Sequence, residues 1–145
     1  MKEILGGCLC QKVRYKITSP PLSQGICYCH QCRKSGGGYG SPVLVLHSNS
    51  FECLEPKLAF CVTKPDQETE VRRNFCSDCG SHIFAQISGF PEIVTLKAAT
   101  LDEFNLFVPE YLVWVQSAGF LCPFPPGVPS FPESAPLEML LGSAK

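Results

Sequence analysis

A chain of 145 residues, 45% of them hydrophobic, is long enough to bury a core as one domain without disulfides, so its ten cysteines call for another explanation. A formal net charge of -1 and a pI near 6.3 exclude the basic field that draws a protein onto a nucleic-acid backbone, and no window approaches the ~18 uninterrupted apolar residues of a membrane span. The opening residues hold no apolar stretch of secretory-signal length, so a soluble cytoplasmic protein with reduced thiols is expected, with a secreted disulfide framework as the alternative.

In chain order the elements read mostly as strands. Cys8 and Cys10 follow Gly6-Gly7, and their spacing of two places both side chains on one face of a strand or turn. Val13, Tyr15 and Ile17 alternate with Lys12, Arg14 and Lys16, the period of a half-buried strand. Cys27-Tyr28-Cys29-His30-Gln31-Cys32 gathers three cysteines within six residues, and a short helical turn is expected after Cys32. Arg33-Lys34 and Ser35-Gly36-Gly37-Gly38 follow, the latter a turn whose backbone can approach a ligand closely.

Further strands are predicted over 41–47, 58–63, 69–75, 82–87 and 92–97, each short, rich in β-branched and aromatic residues, and bounded by turn formers. Between 69–75 and 82–87 lies the knuckle Cys76-Ser77-Asp78-Cys79-Gly80. Thr100 and Glu103, three apart, fit a capping box opening a helical turn. Six of the thirteen prolines lie beyond residue 122, so 122–145 is predicted to be neither regular helix nor central strand. Phe120, Phe124 and Phe131 would pack this region over the sheet. No repeat and no linker divides residues 1–145, which read as a single domain.

Seven of the ten cysteines fall into these three clusters, and seven divides naturally into four and three. Four thiolates close a structural zinc site, whereas three protein ligands leave a position for water or substrate. The knuckle supplies two ligands from one tight turn. Cys8 and Cys10 are a matching pair, although by spacing Cys27 and Cys29 would serve as well. A buried pair or a redox Cys-x-x-Cys is the metal-free alternative. If the other four close one site, Cys27, Cys29 and Cys32 form a second, open one with a formal charge of -1 around Zn²⁺. That site suits a soft ligand and deprotonates a bound thiol. Arg33 and Lys34 would offset the charge and steer an anion, or are a solvated basic pair.

Other residues carry plainer readings. His30 is a fourth ligand, a proton shuttle or an outward neighbour, while His47 and His82 read as sheet residues. Cys53, Cys61 and Cys122 read as small buried hydrophobes. Arg72 and Arg73 would bond a thiolate, a surface carboxylate or substrate. Trp114 with Phe120 lines a pocket mouth or packs in the core.

Gly6-Gly7-Cys8-Leu9-Cys10 with Val13-Arg14-Tyr15, then Cys27-x-Cys29-x-x-Cys32 with Arg33-Lys34, then Phe75-Cys76-x-x-Cys79-Gly80, together resemble the glutathione-dependent formaldehyde-activating enzyme family. Ala99-Thr100-Leu101-Asp102 and Trp114 extend the resemblance across most of the chain. It implies an all-β, Mss4-like architecture of folded antiparallel sheets stapled by a four-cysteine zinc site of Cys8, Cys10, Cys76 and Cys79. A second, reactive zinc is implied at Cys27, Cys29 and Cys32. The implied activity adds glutathione to formaldehyde to give S-(hydroxymethyl)glutathione, a carbon–sulfur lyase in the reverse sense. Arg33, Lys34 and Arg73 are then candidates to bind the carboxylates of glutathione. Gln11 stands where the family commonly has Gly, and Phe120 where many relatives carry Trp. The alternatives are a non-catalytic zinc-stabilised binding or scaffold module of the same fold and, more distantly, a redox sensor built on the three thiols.

Overall fold

A computed structural model describes residues 2–54 and 58–142. In chain order, β1 (Ile4–Gly7) and β2 (Arg14–Ile17) form a hairpin around the first cysteine pair, and β3 (Ser23–Cys27) leads into helix α1 (His30–Gly36). β4 (Ser41–His47), β5 (Phe51–Cys53), β6 (Leu58–Thr63), β7 (Val71–Cys76), β8 (His82–Ile87), β9 (Ile93–Lys97) and β10 (Tyr111–Val113) follow, then a helical turn, α2 (Leu137–Leu140). A three-stranded sheet has the order β1-β2-β5, and a seven-stranded sheet the order β10-β3-β4-β9-β8-β7-β6.

The all-β class expected from the strand pattern is the class observed. Val13, Tyr15 and Ile17 are fully buried, and the smaller sheet carries the latter two into a core shared with Leu44, Leu46, Ile83, Val94 and Leu96 of the larger one. Burying a side chain such as Ile17 or Leu46 contributes about 1.5–3 kcal/mol, and this shared face fixes how the sheets meet. Cys8 and Cys76 belong to the same core, so the first and third cysteine motifs are anchored by packing as well as by any metal.

Pairing is antiparallel except at one edge, where β10 runs parallel to β3, with Tyr111 opposite Gly25. The long connection over 98–110 carries the chain across before β10 begins, as a parallel pairing requires. Gly25 is needed there, because a Cβ at this position would lie 2.1 Å from the Tyr111 ring. Against β10 rests the C-terminal segment: Ala135 is buried with Tyr111 and Val113, and Trp114, Phe131, Met139 and Leu140 pack around them.

Several expectations change on inspection. Phe120 is fully exposed rather than packed, whereas Phe124 meets Tyr28 edge-on at 5.0 Å. Residues 137–140 form the helical turn α2 once the prolines end. Thr100 does not open a capping box: its hydroxyl donates to the Lys97 carbonyl at 2.7 Å and pairs with Tyr15 Oη at 2.8 Å, leaving a 3₁₀ turn over 104–106 without a side-chain cap. Cys61 is exposed on the edge strand β6 rather than buried. The last residues of the proline-rich segment, 143–145, lie outside the described residues.

Candidate metal centres

The β1–β2 turn and the β7–β8 turn bring Cys8, Cys10, Cys76 and Cys79 together, with all four sulfurs within 4.8 Å of one another. The Cys8 and Cys10 sulfurs lie 3.5 Å apart, and those of Cys10 and Cys76 lie 3.7 Å apart. Four sulfurs around Zn²⁺ at about 2.3 Å form a tetrahedron with edges of about 3.8 Å, so the cage already has the dimensions that zinc requires. Cys8 and Cys76 are buried, Cys79 is half-buried and Cys10 is exposed.

Backbone geometry holds the sulfurs in place. Gly80 takes φ of 75°, and its N–H donates to the Cys76 carbonyl at 2.9 Å, closing the knuckle. The Val13 N–H donates to Cys8 Sγ at 3.2 Å. Ser81 Oγ lies 3.3 Å from Cys79 Sγ, and the Ser81 hydroxyl and N–H hold that thiol down at about 5. In the first turn Gln11 occupies φ of 64°, the left-handed conformation that glycine adopts without cost, and ties itself down by donating to the Cys8 carbonyl at 3.1 Å. The substitution noted in the sequence therefore strains the turn that presents Cys8 and Cys10.

Cys27, Cys29 and Cys32 form a separate group, also with sulfurs within 4.8 Å, where β3 passes into α1. No His, Asp or Glu joins them among the described residues; His30, beside Cys29, is exposed and is not part of the group. Cys29 caps α1, its sulfur accepting from the Cys32 N–H at 3.3 Å. Without a cation the group shares charge unequally. Bonds from the Cys27 and Cys32 thiols draw Cys29 down to about 2, whereas Cys27 is pushed well above the ordinary thiol range by its bond to Cys29 and by Cys32 and burial. Three clustered thiols cannot ionise together unless a cation stands among them, which is the condition a metal satisfies.

The basic residues take varied places. Arg33 Nη1 donates to the Ser117 carbonyl at 2.6 Å, fastening α1 to the turn after β10, and Lys34 is exposed on the same helix. Arg73 is buried; it donates to Gln31 Oε1 of α1 at 2.9 Å and to Thr63 Oγ1. Arg72 lies over the Phe60 ring at 3.7 Å. Trp114 adopts φ of 60° and packs with the C-terminal segment.

One residue that the sequence reading passed over stands out here. Lys97, the last residue of β9, is buried, and its ammonium donates to Ser41 Oγ at 2.6 Å. None of the ion pairs among the described residues includes it. Burial lowers its pKa, while Cys32 and Cys27 act in the opposite sense. Thiolates formed at Cys27 and Cys32 would favour the charged form of this buried ammonium. A lone lysine ending an apolar strand gives no sequence signal of that role; only the β4–β9 pairing delivers it.

The sequence matches the family described as glutathione-dependent formaldehyde-activating enzyme over residues 3–117. A Halomonas elongata protein provisionally given that name is 31% identical over 106 residues, covering 67% of this chain and 64% of its own length. A Talaromyces marneffei protein with the same provisional name is 33% identical over 82 residues, covering 55% of this chain and 42% of its own length. The chain thus spans less than two thirds of the length of either relative. The crystal structure of a Rhodobacter sphaeroides protein superposes with a TM-score of 0.55 at 19% identity, covering 68% of this chain and 88% of the other, a likeness of fold.

Proposed function

The chain belongs to the glutathione-dependent formaldehyde-activating enzyme family, and from that premise we propose that it is a zinc-dependent enzyme of the carbon–sulfur lyase type, joining the thiol of glutathione to formaldehyde or a related aldehyde. The observation that carries this reading is the three-sulfur group at Cys27, Cys29 and Cys32, which no fourth donor closes among the described residues. A purely structural site would be expected to close.

Cys8, Cys10, Cys76 and Cys79 would hold a structural zinc, and Cys27, Cys29 and Cys32 a second one. Bound at the second site, zinc supplies a soft Lewis acidity that lowers the pKa of a substrate thiol beside it. The residues of the chain do the rest. Lys97 offsets part of the negative charge of three thiolates, which eases the approach of an incoming thiol. Lys34, exposed on α1, and Arg33 lie next to the cluster in sequence and are assigned to a carboxylate of glutathione. Arg73 acts through Gln31, fixing the helix that carries Cys32. The reaction balances without any other reactant: the thiol sulfur bonds to the carbonyl carbon, the C=O electron pair passes to oxygen, and the thiol proton ends on that oxygen.

No helix of the described residues is long and apolar enough to cross a membrane. The seven clustered cysteines stand as thiols, a state that suits a reducing compartment such as the cytoplasm.

The test is Cys29→Ala, with zinc content and thiol–aldehyde addition measured together. The expected result is loss of one zinc per chain and a fall of addition to the uncatalysed rate, with the fold retained. Addition at the wild-type rate despite the lost zinc would overturn the reading.

A further inference from the structure

A cavity of about 330 Å³ has Ser35, Ser41, Ser81, His82, Lys97 and Thr100 in its wall. Ser35 lies one turn of α1 beyond Cys32, and Ser81 follows the knuckle of Cys76 and Cys79. The cavity is of the size that small-molecule sites occupy. Among the described residues no carboxylate lines it.

Two of its groups keep hydrogen-bonding capacity that no described residue fills. The ammonium of Lys97 is buried with the neutral Ser41 hydroxyl as its hydrogen-bond acceptor and joins no ion pair among the described residues, so it has donors left for an anion. His82 Nε2 is buried and has no hydrogen-bond partner among the described residues. Burial, with the nearby Lys97 and Arg73, keeps that imidazole neutral in ordinary buffers. An ammonium, the Ser41 hydroxyl and a neutral imidazole around a cavity with no acidic side chain among its described lining residues make a receptor for a carboxylate.

We propose that this cavity is the subsite for the glycine carboxylate of glutathione, held by Lys97 and the Ser41 hydroxyl; this assignment rests on the thiol-adding function proposed above. Charge complementarity selects that end of the tripeptide. The γ-glutamyl end carries an ammonium beside its carboxylate, which Lys97 repels and no lining acid would receive. The glycine end is a plain carboxylate one residue from the thiol-bearing residue, about 3.5 Å of extended chain. A carboxylate on Lys97 leaves the thiol-bearing residue on the side of the three-cysteine group, since Lys97 bonds Ser41 and Ser41 is the register partner of Cys27.

The experiment uses the zinc-loaded protein and two probes without a thiol, N-acetylglycine and its methyl ester, followed by backbone amide NMR. N-acetylglycine should shift the signals of Ser41, Ser81 and His82, and the ester should leave them in place. Lys97→Met should weaken N-acetylglycine binding about tenfold or more, with Lys97→Arg restoring part of it. Unmoved lining signals, equal response to acid and ester, or undiminished binding by Lys97→Met would each overturn the proposal. If Lys97→Met does not fold, acid against ester in the wild-type protein decides the question. Because neither probe can add to an aldehyde, failure of the carboxylate site is distinct from failure of the catalytic reading. The latter would appear as wild-type protein that binds N-acetylglycine but does not accelerate glutathione addition.

Discussion

Lys97 Nζ donates to Ser41 Oγ at 2.6 Å, and Ser41 is in turn the register partner of Cys27, so a buried cation on β9 is tied through β4 to the strand that delivers the three-cysteine group. Removing the hydroxyl leaves the ammonium without that acceptor, and an unsatisfied buried polar group costs about 1–3 kcal/mol. Ser41→Ala is expected to lower stability by about that amount, read as a reduced urea midpoint with an unchanged slope. An unchanged midpoint would show that water in the cavity replaces Ser41.

His82 gives stability a pH dependence of definite sign. Burial above all, then Lys97 and Arg73, depress its pKa from 6.5 to about 4. The unfolded chain takes up a proton near 6.5 while the folded protein resists until about 4, so the unfolded state binds more protons in that window. The contribution of His82 is present above the unfolded value and is lost as pH falls toward the folded one. Urea titrations of wild type and His82→Gln should show a shallower acid decline in the variant; parallel curves would contradict this.

Gly6 accepts no side chain. A Cβ there would lie 2.2 Å from Tyr15 Oη and 2.5 Å from the Thr100 carbonyl, and Tyr15 is fully buried with its hydroxyl bonded to Thr100. Gly6→Ala should destabilise the protein by about 1–3 kcal/mol through overpacking. A thermal melt checks this, and an unshifted Tm would mean that β1 can move away from Tyr15.

The four-cysteine cage should matter to folding in a way that the three-cysteine group does not. Structural zinc contributes about 10–16 kcal/mol in small domains, comparable to or above the ~5–15 kcal/mol total stability of a typical protein. Cys76→Ser, at a core position, is expected to leave a chain without a cooperative melt. Cys29→Ala, at a half-buried position, should keep one. Equal losses from the two substitutions would remove the distinction between staple and open site.

Strong side-chain alternation and cysteine spacing made much of this fold legible in the sequence. Tyr15 and Ile17 announced β2, and the segments at 41–47, 58–63 and 82–87 coincide with β4, β6 and β8. The strands that were not read had no such pattern. β1 ends in two glycines, β3 carries Gly25 because the Tyr111 ring rests on it, and β10 has three residues. The three cysteine motifs are legible because metal ligands cluster in sequence when they come from tight turns. By spacing, however, Cys27 and Cys29 could also have joined the knuckle, and the family resemblance supplied the division into the two groups that the structure brings together. Lys97 was not legible, since its role depends on Ser41 and Cys27 lying across two neighbouring strands.

Zinc content per chain, measured by elemental analysis on protein purified without chelator and again after mild chelation, tests the central claim most directly. The account predicts two zincs, with one held by Cys8, Cys10, Cys76 and Cys79 resisting chelation and one at Cys27, Cys29 and Cys32 lost from it. A single zinc that chelation does not disturb would contradict the open site and leave a zinc-stapled binding module whose remaining thiols hold no metal.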